Sequence, residues 1–265
     1  MNTLQIRVFC YFISPQHNCT LKSLFLPNTL NMTIPALASW SGGKDSCLAL
    51  WRAQQSGVCV THLLTALDET GLKARSHGVT KDLIISQGKS LGLINEFICA
   101  SWQDYEGQFI EKLTELHKSG LKKAIFGDID LISHREWEEK VCLAANIIPT
   151  LPLWNEDRLK IVHEFLETGF KARVVCVDGR FLNQSHVGVE FNHQFIEQLP
   201  EGVDACGENG EFHTFVYNGP NFKQPVIWKS LGIKTYTSPE EFGAITFHFD
   251  LLGSDERVLP AEISS

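Results

Sequence analysis

The 265-residue chain is long enough for one large domain, or for one domain with an appendage, around a substantial hydrophobic core. Its 23 basic and 31 acidic residues give a formal net charge of −8, so the surface as a whole does not attract nucleic acid. No apolar run reaches the length of a membrane span. The eight cysteines form no Cys-x-x-Cys pair, which argues against a structural zinc site and favours reduced thiols in the cytoplasm.

Residues 1–31 differ from the rest of the chain, because they contain Arg7 and Lys22 but no acidic residue. Their apolar pieces are short and interrupted, unlike the apolar region of a secretory signal. We therefore expect a disordered leader, with a transit peptide as the weaker alternative.

From Met32 onward the chain alternates strand-like and helix-like segments, which predicts an α/β domain with a doubly wound, mainly parallel sheet. The expected strands cover residues 34–40, 58–67, 96–102, 123–127, 147–154 and 173–177. Helices are expected after residue 41, over 80–92 and over 105–119. A fourth helix is expected to start at a capping box over 133–136. A fifth is predicted by the apolar stripe of Leu159, Val162, Phe165 and Leu166.

The pattern changes after residue 182 into short, polar, turn-rich segments. Its last clear element alternates apolar and polar residues from Ile245 to Leu251, which predicts an antiparallel strand. We therefore expect an α/β domain over 32–182, a smaller α+β region over 183–252 that shapes the substrate site, and a tail over 253–265.

The segment Ser41-Gly42-Gly43-Lys44-Asp45-Ser46 joins the first strand to the first helix. Glycines let the backbone approach an anion, and the first helical turn has amide groups without helical partners. Lys44 adds a positive charge, and the helix dipole contributes about 0.3–1 kcal/mol for a bound anion. The segment fits neither the Walker nor the dinucleotide fingerprint. It predicts a phosphate-binding loop, with an ordinary strand-to-helix turn as the alternative.

Further polar clusters follow the predicted strands, and ligands of open parallel sheets bind beyond the carboxyl ends of the strands. Arg75 and His77 follow the second strand, and Asp128, His134 and Arg135 follow the fourth. A solvated loop is the plain alternative for the first pair. Asp45 is acidic beside a phosphate site, which indicates Mg²⁺ bound with the nucleotide.

A last polar cluster covers residues 206–214. If residues 211–216 are extended, Glu211 and His213 share one face of the strand, and Phe212 and Thr214 share the other. That face would carry an acid and a base together, whereas the alternative is a glycine-rich turn with exposed acids.

The order of these motifs along the chain resembles that of the diphthine–ammonia ligase family. This family belongs to the ATP-pyrophosphatase or PP-loop superfamily of adenosine nucleotide α-hydrolases. The resemblance covers roughly residues 34–228 and rests on 41–46, 75–78, 127–129, 134–138, 152–154 and 206–214. It implies a HUP-like, Rossmann-like fold. It also implies that a carboxylate attacks the α-phosphate of ATP, that pyrophosphate leaves, and that ammonia displaces AMP from the acyl-adenylate.

The resemblance also implies roles for individual residues. Pyrophosphate would be held by Ser41, Gly42, Gly43, Lys44, Asp45 and Ser46, with Mg²⁺ at Asp45. The catalytic residues would be Lys44, Asp45, Asp128, Glu208 and Glu211. The substrate would be bound by Arg75, His77, His134, Arg135, Asn209 and His213.

Two positions depart from the family pattern, which reads Gly-Gly-Glu, an aromatic residue, Glu and Thr in the last block. Here Asn209 replaces a glycine and His213 a glutamate. The acceptor carboxylate, a protein side chain or a small molecule, is therefore less defined than the use of ATP. Free ammonia is the expected nitrogen donor, because no glutaminase region is apparent. A tRNA-modifying adenylase, a non-catalytic nucleotide-binding module and a homodimer stay open.

Overall fold

The computed structural model describes residues 34–75, 77–240 and 243–254. The leader predicted over 1–31 lies outside the described residues, as does the predicted tail from residue 255 onward.

Five parallel strands form the first sheet, in the order β3-β2-β1-β4-β5. They are β1 (Pro35–Ser39), β2 (Cys59–Leu67), β3 (Ile94–Cys99), β4 (Lys123–Ile125) and β5 (Ile148–Thr150). The central strand β1 pairs with β2 on one side and with β4 on the other, so the strand order reverses beside β1. The predicted doubly wound parallel sheet is confirmed.

Five helices cover the two faces of this sheet: α1 (Lys44–Gln55), α2 (Lys81–Leu91), α3 (Tyr105–Lys118), α4 (Ile132–Ala144) and α5 (Arg158–Glu167). Strand periodicity divides the apolar residues between the faces. The buried residues of β1 alternate, so that two of them pack with α1, α2 and α5 while the one between them packs with α3 and α4. These residues are Ala36, Ala38 and Leu37, respectively.

Four antiparallel strands form the second sheet, in the order β7-β6-β9-β8. They are β6 (Lys171–Asp178), β7 (Phe212–Asn218), β8 (Trp228–Thr237) and β9 (Thr246–Ser254). A 3₁₀ turn (Gln184–His186) and the short α6 (His193–Glu197) lie between β6 and β7. The predicted smaller α+β region is thereby confirmed as a fold element.

The strand predicted over 173–177 is present as β6, but it belongs to the antiparallel sheet. The change from one sheet to the other therefore precedes residue 171, and not residue 182 as the sequence pattern indicated. All described residues belong to one compact unit, so a division of the chain into two regions stays a prediction.

Several local predictions were wrong. The capping box at 133–136 does not start a helix, since α4 already begins at Ile132 and has no side-chain cap. The third strand ends at Cys99, and the fifth is short because residues 152–155 form a turn. Leu159 is 52% exposed and leaves the predicted stripe of α5.

The antiparallel strand predicted over 245–251 is confirmed as β9, but one of its side chains was assigned to the wrong environment. Asp250 was expected on the polar face, yet it is buried, and there its carboxylate accepts a hydrogen bond from Arg173 at 2.5 Å.

In the described ranges, no helix combines the length and the apolar character that crossing a membrane requires. The described cysteines, at positions 47, 59, 99, 142, 176 and 206, are all free thiols.

Candidate active site

A cavity of about 640 Å³ lies at the carboxyl ends of β1, β2 and β4, where the strand order reverses. Open parallel sheets bind ligands at this position. The second sheet closes the cavity through β7 and the turn before it. Ten of the predicted site residues line it: Ser41, Lys44, Asp45, Ser46, Arg75, His77, Asp128, His134, Glu208 and His213.

The two glycines of the predicted phosphate loop are closely packed. Gly42 has a φ of +80°, and a Cβ there would lie 2.7 Å from Gln87 Oε1. A Cβ on Gly43 would lie 2.3 Å from His77 Cε1. Gln87, which is fully buried, donates to the carbonyls of Gly42 and Val216 and so joins the loop to α2 and β7.

Some of the expected main-chain donors are engaged within the protein. The amide of Lys44 donates to Thr214 Oγ1 at 3.0 Å, and that of Gly43 donates to Ser41 Oγ at 3.3 Å. The hydroxyls of Ser41 and Ser46 lie 3.1 Å apart on the cavity wall. The loop therefore presents side-chain donors to the cavity, and not only main-chain amides as the sequence suggested.

Lys44 is 5% exposed, and its ammonium contacts both carboxylate oxygens of Asp45, at 2.7 and 2.6 Å. Burial alone would lower the pKa of Lys44, but the charges of Asp45 and Glu208 raise it overall. Lys44 therefore keeps its positive charge at the floor of the cavity.

Three potential ligand atoms, from Asp45, Cys206 and Glu208, lie within 4.8 Å of one another. Burial raises the pKa of Glu208 to about 7, and the nearby charge of Asp45 contributes. Burial likewise raises the pKa of the Cys206 thiol to about 12, so the thiol stays protonated. Since Mg²⁺ prefers oxygen ligands, the two carboxylates fit this ion and the thiol does not.

Asp128 lies between two hydrogen-bond donors. His134 Nδ1 is 2.7 Å from Asp128 Oδ1, and the buried carboxyl of Glu138 donates to the same side chain. Burial, and then the hydrogen bond to Asp128, raise the pKa of Glu138 to about 11. Burial would also raise the pKa of Asp128, but its two hydrogen bonds lower it overall. Asp128 is thus ionised and Glu138 neutral.

Glu138 lines the cavity but was not among the predicted site residues. It lies four residues after His134, on the same face of α4. That spacing was a signal in the sequence, but the burial of Glu138 depends on contacts with other elements of the fold.

His77 and His213 pack ring against ring, with 4.7 Å between their centroids. Burial lowers the pKa of His77 to about 4 and that of His213 to about 3. His77 Nδ1 donates to the carbonyl of Thr214 at 2.8 Å. Both rings are therefore neutral near pH 7, and they offer hydrogen bonds instead of charge.

Arg75 lies against an aromatic wall of the cavity. Its guanidinium is 4.5 Å from the ring centroid of Trp102 and 6.0 Å from that of Tyr105, and it donates to the carbonyl of Ala100. Trp102 lines the cavity while 75% exposed, and sequence reasoning did not single it out.

Five predicted site residues do not line the cavity: Gly42 and Gly43, described above, and Arg135, Asn209 and Glu211. Arg135 pairs with Glu139 at 2.6 Å, outside the cavity. Asn209 and Glu211 belong to the turn before β7, where the Glu211 carboxylate accepts from the amides of Asp204 and Asn209 at 3.2 and 3.0 Å. The expected face with Glu211 and His213 side by side is therefore not formed, because Glu211 is 1% exposed and its carboxylate binds main-chain amides.

The raised pKa of Glu138 predicts a pH dependence of stability. The folded protein holds a proton that the unfolded chain releases above pH 4.5, so the free energy of unfolding falls as pH rises toward 11. Glu138→Gln removes this dependence. In urea titrations, we expect the variant to gain about 4 kcal/mol over the native protein between pH 6 and pH 9, at about 1.4 kcal/mol per pH unit. Glu139→Gln, on the exposed side of α4, is the control. Parallel pH curves for native protein and Glu138→Gln would contradict the assignment.

Two models of known protein families together match most of the chain. The model of the diphthamide synthase N-terminal domain matches residues 34–147, and that of the diphthamide synthase C-terminal domain matches residues 157–238. The first match contains the parallel sheet up to the start of β5, and the second contains the turn with Glu208 and His213 in the strand that follows it.

Individual relatives agree with the family models. The diphthine–ammonia ligase of Mus musculus is 30% identical over 228 residues, which cover 74% of this chain and 82% of the relative. That of Danio rerio is 26% identical, covering 71% of this chain and 83% of its own, and that of Bos taurus is 25% identical, covering 86% and 95%. A predicted subunit of tRNA methyltransferase from Methanocaldococcus jannaschii aligns with 70% of this chain and 98% of its own, at 16% identity and a TM-score of 0.37, too distant to bear on function.

Proposed function

This chain belongs to the diphthine–ammonia ligase family, and from that premise we propose that its cavity activates a carboxylate with ATP and then forms an amide with ammonia. The observation that carries the proposal is the position of Lys44. Its buried ammonium lies in the phosphate loop and also in the same cavity as the acids Asp128 and Glu208. The same cavity can therefore bind a polyphosphate at Lys44 and an ammonium ion at the two acids.

In the first half-reaction, a carboxylate oxygen attacks the α-phosphorus of ATP and the bond to the β-phosphate breaks, which gives an acyl-adenylate and pyrophosphate. Negative charge develops on the departing pyrophosphate. The Lys44 ammonium and the hydroxyls of Ser41 and Ser46 are placed to stabilise this charge, and fixed donors of this kind lower a barrier without reorganisation.

We assign Mg²⁺ to the same half-reaction, with Asp45 as its protein ligand and Glu208 close by. When bound, the ion neutralises charge on the phosphate oxygens of the nucleotide. The carboxylate oxygens suit this ion, whereas the protonated Cys206 does not take part. Lys44 now contacts both Asp45 oxygens, so its ammonium would turn toward the phosphates when nucleotide binds.

In the second half-reaction, ammonia attacks the acyl carbon and AMP leaves with one oxygen of the original carboxylate. Ammonia arrives mainly as ammonium, so a base must take a proton before the attack. We assign this role to Glu208, which projects from the second sheet's turn into the cavity beside Asp45. Asp128, held ionised by His134 and Glu138, adds the negative charge that attracts ammonium.

The acceptor is proposed by analogy with the relatives, whose names specify diphthine. Of the two departures from the family pattern, only His213 lines the cavity, whereas Asn209 does not. A change in acceptor preference would therefore act through His213. Cytoplasmic location and a homodimer stay predictions.

The two rival functions are not favoured by these observations. A tRNA-modifying adenylase would bind a polyanion, whereas this chain has a net charge of −8 and the family models match ligase domains over both sheets. A purely regulatory nucleotide module would not need the acids that surround Lys44 in the cavity.

Product analysis tests the proposal. The purified full chain is incubated with ATP, Mg²⁺, ammonium and a diphthine-bearing protein, with a panel of small carboxylates in parallel, and nucleotides are separated by ion-exchange chromatography. We expect AMP and pyrophosphate in equal amounts, dependent on both acceptor and ammonium. ADP and phosphate as products, or no nucleotide cleavage with any acceptor, would contradict the proposal.

A further inference from the structure

The turn over residues 204–211 delivers Glu208 to the cavity, and it is held by its own side chains. Asp204 accepts from the amides of Cys206 and Glu208, each at 3.0 Å. Glu211 accepts from the amides of Asp204 and Asn209 at 3.2 and 3.0 Å. The backbone of the turn is therefore well defined internally, but these bonds do not fix its distance from the parallel sheet.

A side chain outside the cavity lining connects this turn to the loop after β4. Arg158, the first residue of α5, donates through Nη1 to Asp204 at 2.6 Å and lies 3.5 Å from the Asn209 amide oxygen. Its Nε and Nη2 bind the two carboxylate oxygens of Asp130 at 2.7 and 2.6 Å. Asp130 follows Asp128 by two residues, in the loop after β4.

The guanidinium thus joins the loop that carries Asp128 to the turn that carries Glu208. A planar guanidinium with two occupied edges fixes the orientation of both partners, which a lysine cannot do. Isolated exposed ion pairs contribute little to the free energy of unfolding. The main effect of this bridge is therefore to set the relative position of the loop and the turn.

We propose that Arg158 is a positioning residue for the amide-forming half-reaction, because it holds Glu208 at its working distance from Asp45 and Asp128. This inference rests on the proposed function for its catalytic consequence. Its structural consequence, the ordering of the turn over 204–211, is independent of that function.

Arg158→Gln tests the inference against Arg52→Gln. Arg52 is a matched control because its guanidinium also bridges two acids, Glu156 and Glu164, at a similar exposure of 20% against 26%, but it does not contact the turn. The first readout is amide hydrogen exchange of Cys206, Glu208 and Asn209. We expect exchange at least tenfold faster in Arg158→Gln and unchanged in Arg52→Gln.

The second readout separates the half-reactions. We expect Arg158→Gln to lower the rate of ammonium-dependent amide formation at least tenfold, with ATP–pyrophosphate exchange within threefold of the native value. Arg158→Lys should recover only a minor part of the loss. Asp130→Asn, which removes one anchor of the bridge, should reproduce the effect and replaces Arg158→Gln if that variant does not fold.

Native exchange protection in Arg158→Gln would overturn the inference, and so would equal losses in both half-reactions. If the native protein shows no ATP–pyrophosphate exchange with any acceptor, the proposed function fails, and the hydrogen-exchange comparison alone decides whether Arg158 orders the turn.

Discussion

Replacing Lys44 with methionine will lower kcat/KM for ATP-dependent pyrophosphate release by about 10³-fold, because a fixed charge at the departing pyrophosphate is lost. Lys44 is buried, and its pKa is raised by Asp45 and Glu208 after the cost of burial is overcome, so it is charged at every relevant pH. The measurement is steady-state pyrophosphate release at varied ATP.

Lys112→Met is the control for loss of an ion-paired lysine, since Lys112 of α3 pairs with Glu96 of β3 and with Glu115 of its own helix, and its side chain is 19% exposed. The control should keep native activity. Thermal unfolding of both variants checks the fold, and Lys44→Met/Asp45→Asn removes any effect of the carboxylate left unpaired in Lys44→Met. A folded Lys44→Met variant within tenfold of native kcat/KM would show that the loop does not hold pyrophosphate.

Glu208→Gln is expected to separate the two half-reactions. The amide keeps the size of the side chain but cannot take a proton from ammonium, so amide formation should fall by about 10²–10⁴-fold. ATP–pyrophosphate exchange should stay within tenfold of native, because Lys44, Ser41 and Ser46 remain in place.

Glu201→Gln, an exposed change in the segment before the same turn, serves as the control and should be silent. The assay measures exchange and amide formation on one preparation of each protein. Loss of exchange to the same degree as amide formation would assign Glu208 to nucleotide binding and not to the nitrogen step.

The location of the site could be predicted because parallel strands place their carboxyl ends at one edge of a sheet. The structure brings residues from three strand ends to one cavity: Ser41, Lys44, Asp45 and Ser46 after β1, Arg75 and His77 after β2, and Asp128 after β4. The position of each residue at this edge depends only on where its own strand ends. No knowledge of side-chain packing was needed for this step.

Residues whose role depends on tertiary packing could not be predicted. Glu138 lies in α4, and its pKa is raised by burial and by its hydrogen bond to Asp128 in the loop before that helix. Gly127 is needed because a Cβ there would lie 2.8 Å from the Ser46 amide nitrogen, a contact between the loop after β4 and α1 that the sequence does not display.

The second sheet was harder to predict than the first. Nearly every residue of β8 is exposed, so this strand lacks the alternation of buried and exposed residues by which strands are recognised. Glu211 was assigned to a strand face by its spacing, but it lies just before β7, where its carboxylate binds main-chain amides. Turn geometry, and not periodicity, sets the direction of that side chain.

Transfer of ¹⁸O from the acceptor carboxylate to AMP tests the adenylate most directly. With both carboxylate oxygens labelled, the acceptor is converted with ATP and ammonium, and the AMP is analysed by mass spectrometry. The account predicts one ¹⁸O atom in each AMP molecule formed and one in the amide. Unlabelled AMP, or label in inorganic phosphate, would contradict it.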